Sequence, residues 1–295
     1  MILIFQPVQR RHSGACKTLS TRPAMMEDFL KFFNLQRDPF QDTIDPDIFF
    51  PTEFHEQVLL KLTTGLHQHR PIMMLWGSSG TGKTILTRLL LNQLDPQQFL
   101  PLLILPSPRI TPTALLDLVC HPLGGPTGRQ TSKQEKLTWL RERIIRESEK
   151  GRQTVLLVDE AHFLTSESLH LIRSMSNWES SWGKLLSIIF MAEPPFLKRL
   201  RHQTHASIRS RISLSLELPS LTAGEVEQLI KFRLLVSGGS QHIFSPVCYP
   251  LIHQTSNGIP RILIKIAGNA LLESYCRRES QVGPAAVQTA IAESC

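Results

Sequence analysis

The sequence predicts an α/β protein in which a parallel five-stranded sheet lies between helices and a small all-helical domain follows. Between residues 72 and 218, short apolar runs alternate with helix-compatible segments, as in a parallel sheet covered by helices. After residue 220 four segments with helical spacing follow one another without an apolar strand between them. We therefore place a boundary near Pro219, with an α/β domain over residues 27–219 and a helical domain over residues 220–295.

Five apolar runs predict the strands, at residues 72–76, 102–105, 155–158, 185–191 and 212–218. The third run is apolar throughout, which is typical of a strand buried on both faces. Helices are predicted over residues 53–69, 84–94, 111–120, 132–150, 166–178, 222–236, 245–255, 261–275 and 284–294. Thr111 before Pro112, and Ser132 with Glu135, are residue patterns that favour helix starts.

The first 26 residues differ in composition from the rest of the chain. They contain four of the 32 basic residues and no acidic residue. The remainder carries 28 basic and 25 acidic residues, so its formal charge is +3 whereas the whole chain has +7. This distribution is weak support for nucleic-acid binding by the folded part. We expect residues 1–26 to be a basic, disordered leader; a resemblance to a transit peptide is faint, and Met25 or Met26 is an alternative start.

Composition also indicates in which cellular compartment the protein is expected. No run reaches the roughly 18–20 apolar residues that a membrane-spanning helix needs, so we expect no membrane insertion. The five cysteines form no C-x-x-C pair and have no metal-ligand spacing with the histidines. Such cysteines are typical of a reducing compartment, and we expect a cytoplasmic protein.

A glycine-rich segment follows the first predicted strand and precedes a predicted helix. It reads Gly77-Ser78-Ser79-Gly80-Thr81-Gly82-Lys83-Thr84, which is G-x-x-x-x-G-K-T without a mismatch. Glycines let successive backbone N–H groups turn towards phosphates, and a helix N-terminus favours an anion. Lys83 would contact the β- and γ-phosphates and Thr84 would bind Mg²⁺. A chance Gly/Ser-rich turn is the alternative, but the strand and helix around the segment favour binding of ATP with Mg²⁺.

Two consecutive carboxylates end the third predicted strand, in the sequence VLLVDEAH. Charges at the end of a buried strand are costly unless a cation or water meets them. Asp159 would hold Mg²⁺, and Glu160 would act as the general base that polarises the attacking water. The alternative is a strand that ends in an ordinary polar turn. The position of these acids about 75 residues after the glycine-rich segment favours the metal and base roles.

Three further residues are candidates for the same site. Glu193 follows the fourth strand, where a polar side chain can orient the attacking water; it is equally well explained as a loop acid. Arg211 lies in an acid-free stretch from Pro194 to Leu216 and would reach a neighbouring subunit's γ-phosphate, while other basic residues there would contact an anionic partner. A solvated basic face is the alternative.

Arg261 would project from the first turn of a helix towards the nucleotide, although a surface arginine has the same sequence pattern.

Several stretches together resemble the ExeA/GspA-type AAA+ ATPases. They are FFNLQRDPF, DPDIFFPTEFHEQVLLKLTTGL, the glycine-rich segment, VLLVDEAHFLTSESLHLIRSMSNWE, RSRISLSLELPSLTAGEVEQLIKFRL and SNGIPRILIKIAGNALLESY. The resemblance covers residues 27–292 and implies a RecA-like sheet followed by a helical lid. It also implies that Arg211 is similar to the arginine finger and Arg261 to the second sensor of that family.

One departure from the family pattern concerns Glu193. The family usually has G-Q-P-E-L after the fourth strand, whereas this chain has AEPPF at residues 192–196. A carboxylate near the γ-phosphate is repelled unless a cation or a proton compensates it, so hydrolysis is expected to be slow.

The resemblance leaves the cellular role open. Short, free-standing members resemble the TnsC/TniB/MuB transposition ATPases, which implies a homo-oligomer (a ring or a filament) that binds double-stranded DNA and a transposase. The alternatives are an ATPase of a secretion or pilus system and a nucleotide-binding scaffold with weak hydrolysis.

Overall fold

The computed structural model describes residues 24–42, 46–181 and 183–294. The predicted leader at residues 1–26 therefore lies almost wholly outside the described residues. The chain divides into two compact units. The first contains residues 53–78 and 83–218, and the second contains residues 24–42, 46–52, 79–82 and 219–294.

The first unit is built on a parallel sheet of five strands in the order β2-β3-β6-β1-β7, with a separate antiparallel pair β4-β5. The strands are β1 (Ile72–Trp76), β2 (Phe99–Ile104), β3 (Gln153–Val158), β4 (Glu179–Ser180), β5 (Gly183–Lys184), β6 (Leu186–Ala192) and β7 (Ile212–Glu217). The predicted fold class, a parallel five-stranded sheet with helices, is thus confirmed. Because all five strands run the same way, their carboxyl ends share one edge of the sheet.

Burial along the strands follows their place in the sheet. Every residue of the inner strands β3 and β6 is buried, because helices cover both faces. The edge strand β7 alternates half-buried and exposed residues. The other edge strand, β2, begins three residues before the predicted start, at Phe99, and includes Pro101. An edge strand tolerates proline because one side of its backbone has no strand partner.

The helices of the first unit are α2 (Glu53–His67), α3 (Lys83–Gln93), α4 (Pro112–Cys120), α5 (Lys133–Glu149), α6 (Ser166–Met175), α7 (Pro194–Leu200) and α8 (Ala206–Arg209). The predicted caps form: Thr111 accepts from the Ala114 N–H, and Ser132 and Glu135 make a reciprocal capping box. Helix α6 ends three residues before the predicted Trp178, because the β4-β5 hairpin follows it. The sequence did not predict that hairpin or the short helices α7 and α8.

The second unit is helical and contains α1 (Ala24–Phe32), α9 (Ala223–Val236), α10 (Cys248–Ser256), α11 (Pro260–Cys276) and α12 (Pro284–Ser294). Residues 27–42 and 46–52, which the sequence assigned to the α/β domain, belong here. The reason is aromatic packing: Phe29 and Phe33 are buried in this unit's core, and the Phe29 ring lies edge-on to Tyr275 at 5.5 Å. In the described part of the chain, no helix is long and apolar enough to cross a membrane.

Candidate nucleotide-binding site

The glycine-rich loop connects β1 to α3. Gly80 has φ +80° and Gly82 has φ +105°, a region of backbone conformation that residues with a Cβ atom rarely adopt. The Gly77 N–H donates to the Ala192 carbonyl at 3.2 Å, which ties the start of the loop to the end of the neighbouring strand β6. The positive φ values explain the glycines at 80 and 82, and the loop presents backbone groups suited to phosphates.

Lys83 begins helix α3 and is almost fully buried, with 6% of its surface exposed. Its ammonium group donates to the Gly77 and Ser78 carbonyls, each at 2.9 Å. A buried lysine requires such partners, because an uncompensated charge away from water is costly. The ammonium group is therefore held within the loop, where the sequence placed the β- and γ-phosphates.

Thr84 and Asp159 are brought together although 75 residues separate them in the sequence. The Thr84 hydroxyl donates to Asp159 Oδ2 at 3.0 Å. The other carboxylate oxygen accepts from the Glu160 N–H at 2.9 Å, and Asp159 is only 2% exposed. Mg²⁺ prefers oxygen ligands and usually binds one or two protein groups together with substrate phosphates. A hydroxyl and a carboxylate beside a phosphate-binding loop fit that ion.

Glu160 adopts a left-handed conformation (φ 53°, ψ 40°) that is uncommon for residues other than glycine. The conformation turns the chain sharply after β3, and 37% of the Glu160 side chain remains exposed. Burial raises the pKa of Glu160, and the neighbouring Asp159 charge raises it further. This carboxylate is accessible to water and close to the Thr84–Asp159 pair, as a general base must be.

Glu193 lies next to Glu160, at the end of the adjacent strand β6. Carboxylate oxygens of both residues and a ring nitrogen of His162 lie within 4.8 Å of one another. Sequence patterns assigned no role to His162, although it stands two residues after Glu160. Its proximity depends on the short 3₁₀ turn at residues 161–163, which motif spacing does not reveal.

Arg211 is not brought to this group of residues. It precedes Ile212, which pairs with Ile72 at the start of β1, whereas the glycine-rich loop follows the end of β1. Five residues at about 3.3 Å each place the two edges roughly 16 Å apart. Near Arg211 lies Lys184, whose pKa is lowered by burial and then by the Arg211 charge. Arg211 therefore lies at the opposite edge of the sheet from its own loop.

Arg261 is the second residue of α11 in the second unit. Its N–H donates to the Gly80 carbonyl at 3.3 Å, and both residues belong to that unit. Its guanidinium Nε lies 3.9 Å from Asp42 Oδ2, but both side chains are mostly exposed, so this ion pair contributes little. The structure thus places the Arg261 backbone against the tip of the loop.

The acid-free stretch from Pro194 to Leu216 is only partly a basic surface. Arg199 is half-buried: it donates to the His162 carbonyl at 3.2 Å and lies 5.1 Å from the Phe196 ring, and burial lowers its pKa. Arg209 donates to the Leu200 and Arg201 carbonyls at the end of α7. One guanidinium nitrogen of each arginine is thus bound to backbone carbonyls, although Arg209 is exposed. The expectation that these residues contact an anionic partner stays a prediction, and the half-buried Arg199 is the member of the stretch least available for it.

The second unit also contains a cavity of about 1000 Å³. Its lining includes Met26, Phe29, Ile262 and Leu272, and is largely apolar. An apolar lining cannot replace the water around a triphosphate. The glycine-rich loop, and not this cavity, is therefore the candidate site for an anionic ligand.

Fold and site together define a class: a P-loop protein with an AAA+ fold, suited to binding a nucleoside triphosphate. Residues 66–200 match the family model of an AAA domain. The chain is also similar to General secretion pathway protein A of Aeromonas hydrophila, with 29% identity over 254 residues. That alignment covers 86% of this chain and 46% of the relative, so the chain spans about half the relative's length. This likeness supports the ExeA/GspA-type resemblance.

Solved structures give the same fold. The ORC2 protein of Aeropyrum pernix, solved in ADPNP–ADP complexes, matches with a TM-score of 0.65 and 17% identity, covering 88% of this chain and 72% of that one. The ORC1 protein of the same organism, solved in complex with DNA, matches with a TM-score of 0.63 and 22% identity, covering 85% and 68%. At these identities the likeness concerns the fold alone. The resemblance to transposition ATPases stays a proposal.

Proposed function

We propose that this chain is an AAA+ ATPase that binds and hydrolyses ATP with Mg²⁺. The observation that carries the proposal is the 3.0 Å contact between Thr84 and Asp159. It joins the end of the phosphate-binding loop to the end of the strand that carries the acids. Thr84 and Asp159 would hold the Mg²⁺ ion, which would neutralise part of the negative charge of the ATP phosphates. Lys83 would exchange its carbonyl partners for phosphate oxygens.

In this proposal Glu160 accepts the proton of the attacking water. Its neighbour Glu193 affects the rate in one of two ways: it orients the water, or its negative charge repels the γ-phosphate and slows hydrolysis. The second possibility keeps a related function open, a nucleotide-binding scaffold with weak hydrolysis. Measured turnover distinguishes an ATPase from a scaffold, because a scaffold binds ATP tightly yet hydrolyses it barely above background.

The proposal is tested with Lys83→Ala and Asp159→Asn. Lys83→Ala should abolish ATP binding, measured with a fluorescent ATP analogue, while circular dichroism stays unchanged. Asp159→Asn should still bind nucleotide but lose the gain in affinity that Mg²⁺ gives to the parent protein. Lys198→Ala is the matched control, because Lys198 is an exposed lysine on α7. Undiminished ATP affinity in a folded Lys83→Ala protein would refute the site.

Self-association belongs to the proposal because of Arg211. An arginine at the edge of the sheet opposite its own loop can complete a nucleotide site only in another copy of the chain. We propose a homo-oligomer, a ring or a filament, in which Arg211 of one subunit reaches the γ-phosphate bound by the next. Arg261 would sense the nucleotide through the loop tip that its N–H contacts.

For the cellular role, the first candidate is a cytoplasmic, DNA-associated accessory ATPase in transposition that works with double-stranded DNA and a transposase. Its support is the exposed basic residues of the Pro194–Leu216 stretch, Lys198, Arg201 and Arg209, and the likeness in fold to an ORC1 protein solved with DNA. The second candidate, an ATPase of a secretion or pilus system, is favoured by the 29% identity to General secretion pathway protein A. A neighbouring transposase gene would favour the first, and neighbouring secretion genes the second.

A further inference from the structure

Glu160, His162 and Glu193 bring three metal-ligating side chains to one place, outside the Thr84–Asp159 pair. Their ligand atoms lie within 4.8 Å of one another, and His162 Nε2 is 3.3 Å from Glu160 Oε2. Two atoms bound to a tetrahedral Zn²⁺ at 2.0–2.1 Å are about 3.3 Å apart. The histidine and one carboxylate already have that spacing, and the Glu193 carboxylate would have to move closer to both to complete the set.

The backbone fixes this arrangement. Glu160 follows β3 and Glu193 follows β6, and these neighbouring parallel strands pair along their length. Their carboxyl ends therefore reach the same edge of the sheet. Glu193 is the N-cap residue of α7, yet within the described residues its side chain accepts no capping hydrogen bond. Its carboxylate faces the other two side chains instead of the helix end.

The charges of the cluster favour a cation. Two half-buried carboxylates at this separation repel each other, and the repulsion is stronger near a protein than in bulk water. Lys83 attracts Glu160, but its ammonium group also serves the Gly77 and Ser78 carbonyls. A divalent ion bound directly by both carboxylates would remove their repulsion.

We propose that Glu160, His162 and Glu193 form a binding site for a transition-metal ion, best matched by Zn²⁺ and separate from the proposed Mg²⁺ site. An imidazole nitrogen with two carboxylates is a common zinc ligand set, whereas Mg²⁺ takes oxygen ligands and an octahedral geometry. Three protein ligands leave the fourth tetrahedral position to water.

Zinc at this site would inhibit ATP hydrolysis. A Glu160 carboxylate bound to Zn²⁺ is a weaker base, so it accepts the proton of the attacking water less readily. This consequence rests on the proposed base role of Glu160, whereas metal binding itself does not. Zinc binding and inhibition by zinc can therefore be tested separately. Binding is measured without nucleotide, and inhibition is measured with ATP.

Binding is measured on the full chain, free of any histidine tag and of nucleotide, by titrating Zn²⁺ in competition with a chromophoric chelator. Glu193→Gln and His162→Gln should each weaken binding by more than the roughly 10–100-fold that loss of an outer-shell partner costs. His121→Gln and Cys276→Ser are matched controls at exposed positions and should bind zinc like the parent protein. Co²⁺ in place of Zn²⁺ should give the intense visible absorption of a tetrahedral site.

Unchanged zinc affinity in folded Glu193→Gln and His162→Gln would overturn the site, as would loss of binding in Cys276→Ser. Inhibition is then measured as the ratio of hydrolysis rates with and without micromolar Zn²⁺ at excess Mg²⁺, within each protein. Zinc should lower the rate of the parent protein but not that of Glu193→Gln. Zinc binding that needs both His162 and Glu193 supports the site even if the protein hydrolyses no ATP. Lack of hydrolysis would contradict only the proposed function.

Discussion

Asp159 and Glu160 are consecutive carboxylates in different environments. Asp159 is buried, and both of its oxygens accept hydrogen bonds, from Thr84 and from the Glu160 N–H. Glu160 is partly exposed and held in a left-handed conformation. A residue held in such a conformation stores strain of order 1–3 kcal/mol, which persists where the surroundings fix it, often at functional sites. The fixed, ligand-like oxygens of Asp159 suit a metal, and the accessible oxygens of Glu160 suit a water molecule.

This division of roles predicts the effect of Glu160→Gln. The amide keeps the size of the side chain but cannot accept the proton, so ATP and Mg²⁺ should bind normally while turnover falls by about 10²–10⁴-fold. Nucleotide affinity and steady-state phosphate release measure the two effects. Glu142→Gln, an exposed glutamate on α5, is the matched control and should turn over like the parent protein. Equal turnover of Glu160→Gln and the parent would remove the base role from Glu160.

Among the elements, the turn between α10 and α11 depends strictly on its glycine. Asn257 and Gly258 both have positive φ, at 49° and 69°, and Pro260 begins the next helix. The Leu221 N–H donates to the Gly258 carbonyl at 2.8 Å. A Cβ atom at residue 258 would lie 2.0 Å from the Leu221 carbonyl oxygen. The turn that positions Arg261 therefore requires glycine both for its conformation and for the close approach of two backbones.

Gly258→Ala should consequently destabilise the protein by about 2–4 kcal/mol, through the unfavourable positive φ and the backbone shift that the new methyl group forces. The free energy of unfolding from urea denaturation measures the effect. The matched control is Gly224→Ala within α9, where a Cβ would meet no described atom within 4 Å. That change should stabilise the protein by about 0.4–1 kcal/mol. Similar stability of the two variants would contradict the strain assigned to Gly258.

Other elements show which parts of the structure can be predicted from the sequence alone. The phosphate-binding loop and the buried strand before Asp159 were found because a continuous pattern specifies them. Lys136 illustrates the opposite case: it lies on α5 yet is fully buried, because it pairs with Asp117 at 2.6 Å. Likewise, the aromatic packing that draws Phe29 into the helical unit joins residues far apart in sequence. Local periodicity carries no information about such contacts, and the proximity of His162 to Glu193 was missed for the same reason.

At the scale of the whole molecule, the position of Arg211 predicts complementation between defective subunits. Lys83→Ala lacks a working nucleotide site but keeps its arginine, and Arg211→Ala has the reverse defect. A mixture of the two should hydrolyse ATP faster than either alone, because one copy supplies the finger and the other the site. Phosphate release is measured at concentrations where light scattering shows co-assembly. A mixture of Lys83→Ala and Glu160→Gln is the control and should show no gain, since both defects lie in the same site. Lack of rescue in the first mixture would argue against a finger in trans.

Assembly also determines how strongly the protein can bind DNA. The chain after the basic leader has a formal charge of only +3, and Arg199 is half-buried. A single copy therefore neutralises few phosphates and should bind a duplex weakly. Subunits joined in an ATP-dependent oligomer add their contacts, so many weak contacts act as one tight interaction. ATP should therefore strengthen DNA binding through self-association.

The prediction is that a protein beginning at Ala24, the first residue of α1, binds a long duplex only with ATP and with a strong dependence on salt. Each neutralised phosphate should steepen the log–log slope by about 0.9. Charge reversal at the exposed residues Lys198 and Arg201 should flatten this slope. The same reversal at Lys133 and Arg141 on α5 changes the net charge by the same amount and should leave the slope unchanged. Binding is measured by fluorescence anisotropy across a salt series. A protein that assembles with ATP yet binds no duplex at low salt would favour the secretion-type role, because assembly alone would then have supplied no DNA-binding surface.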